Sequence, residues 1–361
     1  MSTTSRLPHI DIAKGVLMLV VIFHHVAWVP MFSQTWNPLF ERVLSYRYCY
    51  MTYFMAVFFI ISGLCSHFDR PFLPFLKRNF LALMVPQLVI NPLAWLVYGY
   101  TWQQILHEMI YTWYGIWFLQ SLFLAKMLYW GIHRLCSRKG CWWLYVPILI
   151  GINVLGIYLA YHQVEHNYWN YIQALVMCPF LLVGQCLQEG SLPGGYRPLE
   201  DPHKPLDRRQ RWTVRITVGF VVVWTLLQCA VKMHTDSVTN YPDVSWGGWA
   251  TFWVVSGLAA VAYLWLGGQI WIHCPAWLSR WLARLGRQSL VVYIFHIYYL
   301  ILMCDALRDV LPTMTRTQSA MTFVAFYLIA LFGSLLTCRL LNTRWLSWSL
   351  GRWELPWPRR K

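Results

Sequence analysis

Apolar segments long enough to cross a bilayer recur along the whole chain, and no other feature constrains its fold more. A helix needs about 20 consecutive, mostly apolar residues to span a hydrocarbon core. Such stretches run from HIDIAKGVLMLVVIFHHVAWVPMF, starting at His9, to SAMTFVAFYLIALFGSLLTCRLL, starting at Ser319. Only helices and closed barrels satisfy their own backbone groups in lipid. The short alternating strands of a barrel are absent. The expected fold class is an all-α integral membrane protein, a bundle of about ten transmembrane helices. The expected spans are 11–33, 49–67, 79–99, 114–133, 141–162, 169–188, 212–233, 249–272, 288–307 and 317–340.

The net charge of +15 invites a nucleic-acid reading, but the basic residues cluster in alternate loops. One set of loops carries Arg70, Lys77 and Arg78, then Arg134, Arg138 and Lys139, then Arg197 to Arg211, then Arg280, Arg284 and Arg287. The opposite set is nearly free of them and includes HTDSVTNYPDVSWGG. This asymmetry places both termini in the cytoplasm and accounts for the charge. No basic module with interleaved aromatics is present, so no nucleic-acid partner is expected. The Pro- and Gly-rich stretch 189–211 reads as a cytoplasmic linker and 341–361 as a basic cytoplasmic tail. The first apolar segment has no A-x-A-like cleavage site and reads as a retained anchor. The ten cysteines lack zinc-ligand spacing, so no metal site is expected and the thiols read as reduced.

Within the first span, Lys14 and His25 are eleven residues apart and share a helical face, about 16 Å apart along the axis. Asp11 lies three residues before Lys14. Lys14 falls near the membrane surface, which puts His25 near mid-bilayer, where an ionisable group marks a functional site by default. An imidazole there is a candidate general base. His24 points about 100° away, toward a neighbouring helix or a substrate. His296 sits nine residues beyond Arg287, at a similar depth, with Ser289 and Tyr293 on its face. Two imidazoles at one depth on different helices suggest a shared polar cavity. Lys77 and Arg78 open the third span, as topology anchors or as phosphate contacts. Pro86 lies inside that span and is expected to kink it. Trp117 opens the fourth span, as an interfacial belt residue or as a platform for a sugar ring.

These elements, in order, resemble the acyltransferase-3 family of bacterial membrane acyltransferases. The resemblance rests on Asp11, Lys14-Gly15 and His25; on YFMAVFFIISGLCSH with Ser62 and Gly63; on Lys77, Arg78 and Pro86; on Trp117, Phe118 and Leu119; and on Ser289, Tyr293 and His296. It covers nearly the whole chain and implies one transmembrane acyltransferase domain over 1–361. The implied activity moves an acyl group, acetyl by default, from cytoplasmic acyl-CoA to a hydroxyl of an extracytoplasmic glycan. The implied location is the bacterial inner membrane.

The implied roles are His25 as base, Tyr293 or His296 as oxyanion donors, and Lys14, Lys77 and Arg78 at the CoA phosphates. His24, Ser62 and Trp117 would touch substrate, with Asp11 and Ser289 in support. Acyl-CoA is then a donor substrate, and no permanently bound cofactor is expected. Many members have Arg at the position of Lys14 and a further basic residue where Asn79 stands. Other readings of the same residues are a polysaccharide or lipid transporter or flippase with a histidine proton relay, a non-catalytic membrane subunit, and a membrane acyltransferase of lipids or proteins. The sequence carries no signal of oligomeric state.

Overall fold

The computed structural model describes residues 7–33, 35, 37–46, 53–111, 117–137, 141–162, 167–191, 195–231, 246–343 and 346–351. Residues 232–245 and 352–361, both part of the charge argument, lie outside them, as do Arg138 and Lys139. The described residues form helices and loops, with no strand among them. Among the described residues, six helices are long and apolar enough to cross a membrane: Pro8–Pro30, Phe72–Val97, Arg208–Ala230, Thr251–His273, Ser289–Ala306 and Arg316–Leu341. The bent pair Tyr168–Met177 and Pro179–Glu189 makes a seventh if it counts as one span. The remaining expected spans correspond to the shorter helices Phe54–Leu64 and Tyr145–Tyr161 and to Trp117–Cys136, whose apolar run Lys126 interrupts.

Contacts cluster the chain into two compact units. The first comprises 1–65, 182–237 and 245–335; the second comprises 66–181, 238–244 and 336–361. The spine of the first unit is the helix Pro8–Phe32, which packs on Ala276–Arg287, Trp246–His273 and Ser289–Ala306. Small residues let these backbones approach, as is usual between helices in membranes. A Cβ on Gly15 would overlap the Leu282 carbonyl, and one on Gly286 would overlap the Asp11 carbonyl. Ile12, Leu282 and Ala283 form the buried core of this seam. Ala276–Arg287 is amphipathic because Arg280, Arg284 and Arg287 recur at helical spacing on its exposed side, while Leu282, Leu285 and Gly286 are buried. In the same unit, Gly184 packs against the backbone of Ile60, Gly63 and Leu64, so the Ser62-Gly63 element ends its helix at a close contact.

In the second unit, a π-helical turn, Phe80–Met84, stands immediately before Pro86. Proline has no N–H to donate and its ring crowds the carbonyl four residues earlier, here Ala82. The widened turn absorbs that conflict, so the expected kink takes the form of a π-turn. Buried Asn79 donates from Nδ2 to the Phe75 carbonyl at 2.8 Å and accepts from Lys126 Nζ at 3.1 Å. The single hydroxyl proton of Ser121 is within reach of the Trp117 carbonyl at 2.9 Å and the Asn170 carbonyl at 3.1 Å.

Candidate active site

The first unit brings His25 and His296 together. Their ring centroids are 4.9 Å apart and the rings meet edge to face, at 74°. Each ring is fixed by its own helix. His25 Nδ1 donates to the Val21 carbonyl at 2.9 Å, and His296 Nδ1 donates to the Val292 carbonyl at 2.9 Å. A carbonyl oxygen only accepts, so both neutral rings carry their proton on Nδ1 and present Nε2 as a lone pair. His296 is 0% exposed and its Nε2 has no hydrogen-bond partner among the described residues. His25 is partly exposed. The arrangement brings two imidazole rings into contact between helices, each with Nε2 left as a lone pair. It narrows the role of His296, because a neutral ring in this tautomer accepts at Nε2 and does not donate there.

The surrounding candidates fall into place one by one. Tyr293 is buried, with its ring 5.8 Å from that of His296. Ser289 opens the same helix and is partly exposed. His24 turns toward the helix Phe54–Leu64, its ring 6.2 Å from Phe54 and 5.1 Å from His25. Asp11 Oδ1 meets Lys14 Nζ at 2.7 Å, with the carboxylate side chain 4% exposed and the lysine 22%. The acidic residue of the first span therefore balances the lysine one turn on and does not touch His25. Ser62 is partly exposed near the end of its helix. Lys77, Arg78 and Trp117 belong to the second unit. Lys77 and Arg78 are exposed in the last turn of Phe72–Asn79, and Trp117 is the first residue of Trp117–Cys136.

A further imidazole in the second unit went unnoticed in the sequence. His133 Nε2 donates to Asp69 Oδ1 at 3.0 Å, and the Tyr145 hydroxyl lies 2.6 Å from His133 Nδ1. The carboxylate only accepts, so Nε2 holds the proton and Nδ1 of the neutral ring accepts from Tyr145. The His133 hydrogen bond holds the Asp69 carboxyl below its ordinary pKa. Arg134 Nη2 donates to the Asp69 carbonyl at 3.1 Å, and Trp130 Nε1 donates to the Arg70 carbonyl at 2.9 Å. Both ring nitrogens of His133 are occupied, and the group ties a loop to a helix. Among the described residues no cluster of His, Cys, Asp and Glu is arranged to hold a metal ion.

The helices place the chain among multi-pass membrane proteins. The profile of the acyltransferase 3 family, described as an acyltransferase domain, matches residues 7–341. The chain belongs to that family and is a membrane enzyme that transfers acyl groups. No curated protein and no solved structure matches it.

Proposed function

We propose that the enzyme moves an acyl group, acetyl by default, from cytoplasmic acyl-CoA to a hydroxyl of an extracytoplasmic glycan in the bacterial inner membrane. The observation that carries this reading is the pair of imidazoles, each fixed by a backbone carbonyl so that Nε2 is left as a base. A hydroxyl is a weak nucleophile until a base takes its proton during attack. His25 Nε2 takes that proton as the oxygen bonds to the thioester carbonyl carbon. The C–S bond then breaks, and the departing thiolate takes the proton from His25. His296, with its free Nε2 beside His25, is a second site for the same proton. Two imidazoles so close hold one added proton far more readily than two, because like charges repel. Tyr293 is the donor assigned to the developing oxyanion.

Lys14 is the donor-phosphate contact proposed on the catalytic helix, with its charge held in place by Asp11. Lys77 and Arg78 are phosphate candidates through their exposure and charge. His24, Ser62 and Trp117 are assigned to substrate contacts. The test is to supply vesicles containing the protein with labelled acetyl-CoA and a polysaccharide acceptor. Label appearing in ester linkage on the glycan supports the reading. Movement of glycan across the membrane without acyl-CoA consumption would replace it with the transporter reading.

A further inference from the structure

The helix Ala276–Arg287 joins one membrane span, Thr251–His273, to the next, Ser289–Ala306. It is too short and too basic to be a span itself. It therefore lies at the membrane surface, on the side that the charge asymmetry marks as cytoplasmic. One face holds it to the protein. Ser279, Leu282, Leu285 and Gly286 are buried, and the seam with Asp11 and Gly15 of the first helix runs along Leu282 and Gly286.

The opposite face is built differently. Trp277, Arg280, Arg284 and Arg287 are all exposed, Trp277 to 67%. With about 3.6 residues per turn, these side chains fall within an arc of about 80°. The arginines point about 150° away from Leu282 and Gly286, so the stripe is turned away from the first helix. The helix contains no acidic residue to balance them. Arg280 Nε donates to the Ala276 carbonyl at 3.0 Å, and none of the three arginines has an ion pair among the described residues. The helix dipole favours a cation in the last turn, which accounts for Arg284 and Arg287. It accounts neither for Arg280 nor for the exposed indole beside it.

An exposed indole and three guanidinium groups in one stripe, at the level of the lipid headgroups, match a layer of phosphates over apolar chains. Tryptophan settles at headgroup depth. A guanidinium grips a phosphate through two parallel hydrogen bonds. The cytoplasmic leaflet carries a negative surface potential that draws basic segments to it. We infer that this stripe is a binding surface for the headgroups of anionic phospholipids in the cytoplasmic leaflet. Trp277 anchors one end of the helix in the interface, and Arg280, Arg284 and Arg287 meet lipid phosphates along about 10 Å of its length. The close contacts at Gly15 and Gly286 join the lipid-bound helix to the first helix. The inference is independent of the acceptor the enzyme uses.

The test is lipid binding to the full-length protein in nonionic detergent, with phosphatidylglycerol as the anionic probe and phosphatidylcholine as the neutral one. Native mass spectrometry across a lipid concentration series counts the bound molecules. Phosphatidylglycerol should bind at least about tenfold more tightly than phosphatidylcholine, and the preference should shrink as ionic strength rises. Replacing the stripe together, Arg280→Gln with Arg284→Gln and Arg287→Gln, should remove at least about tenfold of that preference. The matching lysine triple keeps the charge and should retain most of it. A control triple, Arg208→Gln with Arg209→Gln and Arg211→Gln, takes the same charge from exposed positions at the start of Arg208–Val231. It should leave the preference nearly intact. Equal losses in the two glutamine triples would overturn the proposal, because the effect would then be net charge alone. So would a folded wild type without anionic preference. A stripe triple that keeps its lipid preference and loses acetyl-CoA affinity would also overturn it and give these arginines to the donor.

Discussion

The two units each contain a buried histidine at a helix–helix contact, and the two differ in what their nitrogens do. His133 is satisfied on both sides, by Asp69 and by Tyr145. His296 is satisfied on one side by its own helix, and its other nitrogen faces no partner beside a second imidazole. A buried polar atom without a hydrogen bond costs about 1–3 kcal/mol. A fold that only needed a packed side chain there would do better with leucine. The comparison teaches that burial alone does not separate these two histidines, whereas the count of satisfied nitrogens does.

The largest expected effect breaks the reactive side of that comparison. His25→Ala should lower acyl transfer by about 10²–10⁴-fold, the usual weight of a general base, while the protein still inserts and folds. Rate and thermal unfolding in detergent, measured on one preparation, check both halves. A second variant tests the ion pair on the first helix. Lys14→Met takes the cation away from the buried Asp11 carboxylate, which should lower the unfolding midpoint. Adding Asp11→Leu should recover much of that loss, and a double-mutant cycle on the unfolding midpoints reads the coupling. In folded Lys14→Ala, apparent acyl-CoA affinity should fall more than maximal rate, whereas Lys14→Arg should preserve or improve it.

The structural side is tested by His133→Phe. It should cost about 0.5–1.5 kcal/mol, mostly through the lost Tyr145 bond because the exposed Asp69 carboxylate returns to water, and leave turnover per folded molecule unchanged. A fall in turnover with stability intact would make His133 reactive after all. The smallest effect is a pH dependence. The folded state binds the Asp69 proton more weakly than the unfolded chain does. That contribution is therefore complete above the ordinary aspartate pKa of about 3.9 and is lost as pH falls through the lower folded value. The Asp69 side chain is 88% exposed, so solvent screens the effect. The acid limb of the unfolding midpoint should flatten slightly in Asp69→Asn.

Much of the candidate site's geometry was legible because it obeys helical periodicity. Asp11 and Lys14 pair one turn apart, and His25 and His296 could be matched by depth from the charged ends of their helices. The ordered family elements added the enzyme class, which the family match supports. Less legible were contacts that join distant parts of the chain. His133 and Asp69 are 64 residues apart, and His9 and Pro198 are 189 apart, with no periodicity to link them. Span count was also only partly readable, because helices such as Phe54–Leu64 are shorter than the apolar stretches that contain them. The glycines at the seam of the first helix left a trace in the Lys14-Gly15 element, but its reason, the Leu282 carbonyl against Gly15, needed the fold.

The most direct test of the central claim is release of CoA from acetyl-CoA by the purified detergent-solubilised protein, with wild type beside His25→Ala. The proposed mechanism predicts saturable binding by both and slow thioester hydrolysis by wild type alone. Hydrolysis at the wild-type rate by folded His25→Ala would contradict it.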